Sequence, residues 1–126
     1  KVKILRDVDI YIVDTFGDSK KFFKISNTVL IGGTLVSKGG QNPLEAARYG
    51  AKILYGPYID NFRDIFKLLI TLKISKKITS TKQLISAITF KKDIGRAFKV
   101  KKIGALILKK AIKELETYIN NEPKKT

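Results

Sequence analysis

The 126-residue chain contains neither cysteine nor histidine. Without cysteine there is no disulfide and no thiol nucleophile, and without either residue ordinary zinc sites cannot be assembled. Imidazole acid–base catalysis is excluded too. Chemistry on this chain must rest on carboxylates, hydroxyls, lysines, amides or the backbone. Tryptophan is also absent. No apolar run approaches the ~20 residues of a membrane-spanning helix. The longest, Ile65–Leu72, is interrupted by Lys67 and Thr71. The first apolar run carries Asp7 and Asp9, so no signal peptide is expected.

Negative charge is scarce: 26 Lys and Arg face 11 Asp and Glu, a formal charge of +15. Two readings stay open. A polyanionic partner, such as nucleic acid, an anionic membrane or a phosphorylated ligand, would need such an excess. A general preference for Lys and Ile would also produce it, with the lysines on solvated faces. Clustering is limited to Lys76-Lys77, Lys91-Lys92, Lys101-Lys102 and Lys109-Lys110.

What is present is an alternation of short apolar runs with amphipathic stretches. Residues 1–8 read as a lead-in. Ile10–Val13 predicts a buried strand, and Asp18-Ser19 can cap a helix over Lys20–Ser26 with Phe22, Phe23 and Ile25 inward. Thr28–Ile31 and Ala51–Tyr55 predict further strands, with Ser75–Ile78 a short fourth. Helices are expected from Pro43 to Tyr49 and over Asn61–Leu72. Another is capped by Ser80 or Thr81 and runs to Thr89, with Leu84, Ile85 and Ile88 inward. A last helix is expected over Ile103–Ile119, its inward stripe being Ile103, Leu106, Ile107, Ala111, Leu115 and Tyr118. Residues 120–126 read as a frayed tail. Strand–helix alternation with continuous apolar strands predicts an α/β fold, a Rossmann-like parallel sheet flanked by helices. With no repeat and no linker, residues 1–126 are expected to form one domain.

Ligands in such sheets bind beyond the carboxyl ends of the strands. The loops expected there are Asp14–Asp18, Gly32–Asn42 and Gly56–Asn61, the places richest in Gly, Pro and Asn. Each residue there also has a plain structural reading. Asn42 can be an N-cap with Pro43 in the first helical position and Glu45 closing a capping box. Alternatively, Glu45 accepts from sugar hydroxyls while free N–H groups face a phosphate. Thr15 and Gly17 fit a simple strand-to-helix turn, Asp60-Asn61 a helix cap, and Lys38 a solvated lysine. Gly39-Gly40 is a turn or a ligand-approach site. Neither GxxxxGK[ST] nor GxGxxG occurs.

The segments VDTFGD (13–18), GGTLVSKGGQNPLEAARYG (32–50) and GPYIDNF (56–62) resemble the C-terminal half of 3-deoxy-D-manno-octulosonic acid (Kdo) transferase, a lipopolysaccharide glycosyltransferase of Gram-negative bacteria. The resemblance is strong over Asp9–Phe62 and looser to Ile119. It implies the donor-binding half of a GT-B fold and CMP-Kdo as donor substrate, without a further cofactor or metal. It implies that Gly39, Gly40, Gln41 and Asn42 line the CMP phosphate and that Glu45 holds the ribose. Thr15, Gly17, Gly32, Gly33 and Thr34 would complete the wall, with Asn61 at its rim. Gln41 stands where many members carry His. The acceptor half, with the catalytic carboxylate and the lipid A precursor, falls outside the chain, so no catalytic residue is expected within it. The implied setting is the cytoplasmic face of the bacterial inner membrane, where anionic lipid gives the charge a use. Two other functions compete: a basic nucleic-acid-binding module and the donor half of a UDP-sugar enzyme. Tyr11, Phe22, Phe23, Phe62 and Phe66 fall on expected core faces rather than among lysines, which argues against nucleic acid.

Overall fold

A computed structural model describes residues 7–88 and 94–120. The lead-in before Asp7, the predicted helix end at Thr89, the Lys91-Lys92 cluster and the tail from Asn121 lie outside the described residues. Three parallel strands form the sheet: β1 (Thr28–Leu30), β2 (Lys52–Tyr55) and β3 (Ser75–Lys77). Their spatial order is β1-β2-β3, with Val29 opposite Ile53 and Ile53 opposite Ser75. Helix α1 (Ser19–Ile25) precedes β1, α2 (Leu44–Arg48) joins β1 to β2, and α3 (Arg63–Thr71) joins β2 to β3. Helices α4 (Thr81–Ala87) and α5 (Ile94–Asn120) complete the described chain.

The period-two geometry of β2 divides the core. Ile53 and Tyr55 point to one face, where Ala46, Ala47, Phe66, Leu69, Ile74 and Val100 bury them. The Tyr55 and Phe66 rings meet at 4.9 Å. Burial pushes the Tyr55 phenol above its usual pKa. Leu54 points the other way, against Ile78, Ala87 and Leu84. Both faces of the central strand are thus covered by helices, which explains its uninterrupted apolar sequence.

The N-terminal strand does not form. Ile10 and Ile12 are 82% and 81% exposed, and residues 8–14 join no sheet. Tyr11 stacks on Phe22 at 5.8 Å instead. Apolar run and β-branching favour a strand locally, but a parallel strand exists only with a neighbour to pair with. Asp18 sits at the N-cap of α1 without a side-chain capping bond. Ser80 does cap α4, its hydroxyl accepting from the Gln83 N–H. Ile85 and Ile88 are exposed, and Ala87 is the residue α4 buries.

The largest correction concerns α5. It begins nine residues before the predicted start and spans 27 residues. Val100 is buried, but every residue from Gly104 to Asn120 is exposed. Of the stripe expected to face inward, Leu106, Ile107, Ala111, Leu115 and Tyr118 are all at the surface and Ile103 is half-buried. The amphipathic period is present, but most of its apolar face is exposed. Asn120, expected in the tail, is the last helical residue.

Helix α3 ends in a fully bonded left-handed cap. The Lys73 N–H donates to the Ile70 carbonyl at 2.9 Å and the Ile74 N–H to the Leu69 carbonyl at 2.9 Å. Lys73, at φ 57°, occupies the position glycine favours. Lys73→Gly should therefore stabilise the domain by about 1 kcal/mol, read as a raised urea midpoint with unchanged slope.

Candidate functional site

The site grows from the sheet's carboxyl edge. Because β1 and β2 are adjacent and parallel, the loop leaving Leu30 and the loop leaving Tyr55 emerge side by side. Thr34 joins them. It is fully buried, its hydroxyl donates to the Ile31 carbonyl at 2.6 Å, and it accepts from the Gly56 N–H at 2.9 Å. The Thr34 carbonyl accepts from the Tyr58 N–H at 3.0 Å. A Cβ at Gly56 would lie 2.2 Å from the Thr34 carbonyl oxygen, so only glycine fits there.

The first loop then doubles back. The Gly40 N–H donates to the Gly33 carbonyl and the Gln41 N–H to the Gly32 carbonyl, both at 3.1 Å. Gly39 and Gly40 have φ of 80° and 82°, in the region glycine adopts without cost. Both are buried. A Cβ on Gly39 would meet the Asn61 side chain at 2.6 Å, and one on Gly40 the Thr34 methyl at 2.8 Å. The second glycine pair is therefore explained by loop closure. Two amides that the sequence offered as free donors are already engaged.

Asn61 is not a helix cap. It lies in a short 3-10 turn (Asp60–Phe62) ahead of α3. Its side-chain amide reaches back to the Lys38 carbonyl at 3.1 Å and the Gly40 carbonyl at 3.3 Å. Its N–H donates to the Gly39 carbonyl at 3.0 Å. Asp60 pairs with Arg63. Asn61 thus clamps the glycine loop from the neighbouring strand's loop.

Gln41 and Asn42 stand exposed at the mouth of this loop. The N-cap of α2 is Pro43 rather than Asn42, and the Asn42 side-chain oxygen, one residue earlier, accepts from the Leu44 N–H at 3.0 Å. Glu45 is half-exposed on the first turn of α2, 3.9 Å from the Lys20 ammonium on α1. Thr15 and Gly17 lie ahead of α1, where the Thr15 hydroxyl donates to the Asp18 carboxylate. Lys21, then Thr15, hydrogen-bond Asp18 and hold its carboxyl below the ordinary value.

The structure therefore brings together Gly32, Gly33, Thr34, Gly39, Gly40, Gln41 and Asn61 through direct bonds. Asn42 and Glu45 follow on the same chain, and Thr15 and Gly17 lie ahead of α1, which the Lys20–Glu45 pair links to α2. Lys20, Gly56 and Tyr58 were not singled out from the sequence. A GxY triplet after a strand was the available signal for the last two. A separate apolar cavity of about 470 Å³ lies between α2, α3 and α5, with Leu44, Ile65, Leu68, Val100, Ile103 and Ile107 among its lining. None of the loop residues Gly32–Asn42 line it.

Parallel strands, covering helices and a glycine-rich loop closed at the carboxyl edge define a Rossmann-like domain. Its fold matches the crystal structure of the C-terminal CMP-Kdo binding domain of WaaA from Acinetobacter baumannii, with a TM-score of 0.55 and 24% identity over 59% of this chain and 39% of that one. In sequence, the chain is a relative of the 3-deoxy-D-manno-octulosonic acid transferases. It is 34% identical to that of Rickettsia bellii over 93 residues, 74% of this chain and 22% of the relative. With that of Aquifex aeolicus it shares 29% over 92 residues, 73% of this chain and 26% of the relative. A bifunctional glycosyltransferase/methyltransferase of Fusobacterium nucleatum is 35% identical over 80 residues, 64% of this chain and 12% of the relative. The chain thus spans about a quarter or less of these proteins' length. No protein-family model matches it.

Asn61→Ala should speed hydrogen exchange at the Gly40 and Gln41 amides and lower stability by about 1–2 kcal/mol. Gly39→Ala should cost more, since clash and positive φ combine. In the Asn61→Ala background its penalty should shrink to about 1–2 kcal/mol, the strain alone, as a double-mutant cycle would measure.

Proposed function

We propose that the chain is the donor-binding part of a Kdo transferase, the glycosyltransferase that moves Kdo from CMP-Kdo to a lipid A precursor in lipopolysaccharide synthesis. The observation that carries this reading is the loop Gly32–Asn42, tied by Thr34 and Asn61 into one conformation, with Glu45 half-exposed on the first turn of the helix that follows. Sequence similarity to Kdo transferases supports the same reading.

In this reading the buried members act by shape. Thr34, Gly33, Gly39, Gly40 and Asn61 fix the loop, so its outer surface meets the donor without an ordering cost. Gln41 and Asn42, exposed beyond the glycine pair, offer side-chain amides to the CMP phosphate. Glu45 accepts from two ribose hydroxyls, with the Lys20 ammonium 3.9 Å away. Thr15 and Gly17 form the far wall next to α1. No carboxylate here is assigned to proton transfer: the general base and the acceptor belong to the remainder of the enzyme. The chain alone should bind donor without turning it over. No cofactor is assigned. The full enzyme would work at the cytoplasmic face of the inner membrane, where the +15 charge faces anionic headgroups.

Calorimetric titration with CMP, UDP and a short oligonucleotide tests this. CMP should bind in preference to UDP, and Glu45→Ala should weaken it about tenfold, or ~1.4 kcal/mol. No CMP binding, or binding indifferent to Glu45, would sink the assignment. Equal UDP binding would favour a UDP-sugar enzyme, and selective oligonucleotide binding a nucleic-acid module.

A further inference from the structure

The glycine loop carries one charged side chain that the donor reading leaves without a task. Between Gly32 and Leu44 the only Lys, Arg, Asp or Glu is Lys38. Its side chain is exposed, but its backbone is held from both sides. The Lys38 N–H donates to the Val36 carbonyl at 2.7 Å, and its carbonyl accepts from the Asn61 side-chain amide at 3.1 Å. The Lys38 Cβ lies over Gly33: a Cβ added to that glycine would come 3.6 Å from it and 3.5 Å from the Gly40 Cα. The root of the lysine is thus set against the two glycines that close the loop, Gly33 and Gly40, whose backbones bond to each other at 3.1 Å.

The charges around the loop call for a cation at this place. A nucleotide phosphate brings negative charge close to Glu45, itself a carboxylate, and like charges repel unless a cation stands between or beside them. Backbone donors offset little of it. The Gly40 and Gln41 N–H groups bond within the loop, Pro43 has no N–H, and the Leu44 N–H is taken by the Asn42 side chain. The side-chain amides of Gln41 and Asn42 are neutral. Among the described residues, Lys20 pairs with Glu45, Lys21 with Asp18 and Arg63 with Asp60, so each of those cations already faces a carboxylate. Lys38 takes part in none of these pairs.

We propose that Lys38 is a donor-binding residue whose ammonium pairs with the phosphate of the nucleotide-activated sugar. This role rests on the donor reading and adds to it the group that neutralises the anion. Lysine meets phosphate as a compact point charge on a flexible stem. The clamped backbone gives that stem a fixed origin, and the stem supplies the reach toward Gln41 and Asn42. A lysine that only adds to the general surface charge would not distinguish a phosphorylated ligand from its neutral counterpart.

Calorimetric titration of the whole chain with CMP, and with cytidine, which lacks the phosphate, tests this. Lys38→Gln should weaken CMP about tenfold and leave cytidine unchanged, with unaltered hydrogen exchange at the Gly40 and Gln41 amides. Lys38→Arg should keep most of the preference for CMP. Raising the ionic strength should erode that preference in the wild-type chain and hardly at all in Lys38→Gln, because exposed charges are screened. Lys113→Gln, on the outer part of α5, removes the same charge elsewhere and should change neither ligand. Undiminished CMP binding by Lys38→Gln overturns the assignment, and a continued dependence of CMP on Glu45 would show that the donor reading outlives it. Equal weakening of CMP and cytidine, or faster exchange at Gly40 and Gln41, marks a disturbed loop and also overturns it. So does an effect of Lys113→Gln as large as that of Lys38→Gln. A wild-type chain that binds no CMP removes both the assignment and the donor reading.

Discussion

The hydroxyl of Thr34 is the point on which the candidate site depends. It is buried without access to water, so both of its bonds must be made inside the protein. One goes to its own strand's exit at Ile31, the other comes from Gly56 at the exit of the next strand. That second bond fixes the distance between two loops that share no secondary structure. Everything above it inherits the constraint. Gly56 is glycine because the Thr34 carbonyl fills the place of its side chain, and Gly40 because the Thr34 methyl does. Asn61 then closes the top, reaching Lys38 and Gly40 from the other loop. Apolar substitution at position 34 would keep the volume and lose the connection.

This arrangement changes what the glycines mean. A glycine-rich loop before a helix suggests bare backbone offered to an anion. Here the amides of Gly40 and Gln41 already bond within the loop, and the glycines serve close packing between loops. In the proposed reading, the groups offered to the donor are side chains: Gln41, Asn42 and Glu45, with Lys20 beside Glu45. The loop is best described as a rigid plinth that holds those groups at the carboxyl edge of the sheet. A rigid support suits recognition, since less conformational freedom is lost when the ligand arrives.

The two ends of the chain contrast with this tightly tied middle. Residues 8–14 and the outer part of α5 both carry apolar sequence that finds no cover. For the N-terminal run the local pattern is a strand, and no neighbour pairs with it. For α5 the local pattern is an amphipathic helix, and the helix forms while its face stays open. The difference is in where hydrogen bonds go. A helix satisfies its backbone internally, so it persists without a partner; a strand satisfies its backbone only across a neighbour.

The sequence by itself determined the parallel α/β class, the positions of β1, β2, β3 and α4 to within a residue or two, the Ser80 cap, and the placing of glycine-rich loops within 32–62 at the carboxyl edge of the sheet. Those follow from local periodicity and turn chemistry, which short-range sterics set. Only the tertiary structure decided that Thr34 is a buried hub, that Asn61 is a clamp across 23 residues rather than a cap, and that Glu45 faces Lys20. It also decided that the outer part of the α5 stripe, Ala111, Leu115 and Tyr118, is exposed. A side chain's spacing along the chain says which face it occupies. Whether that face meets a core, a loop or water depends on segments far away in sequence, and no local pattern encodes that.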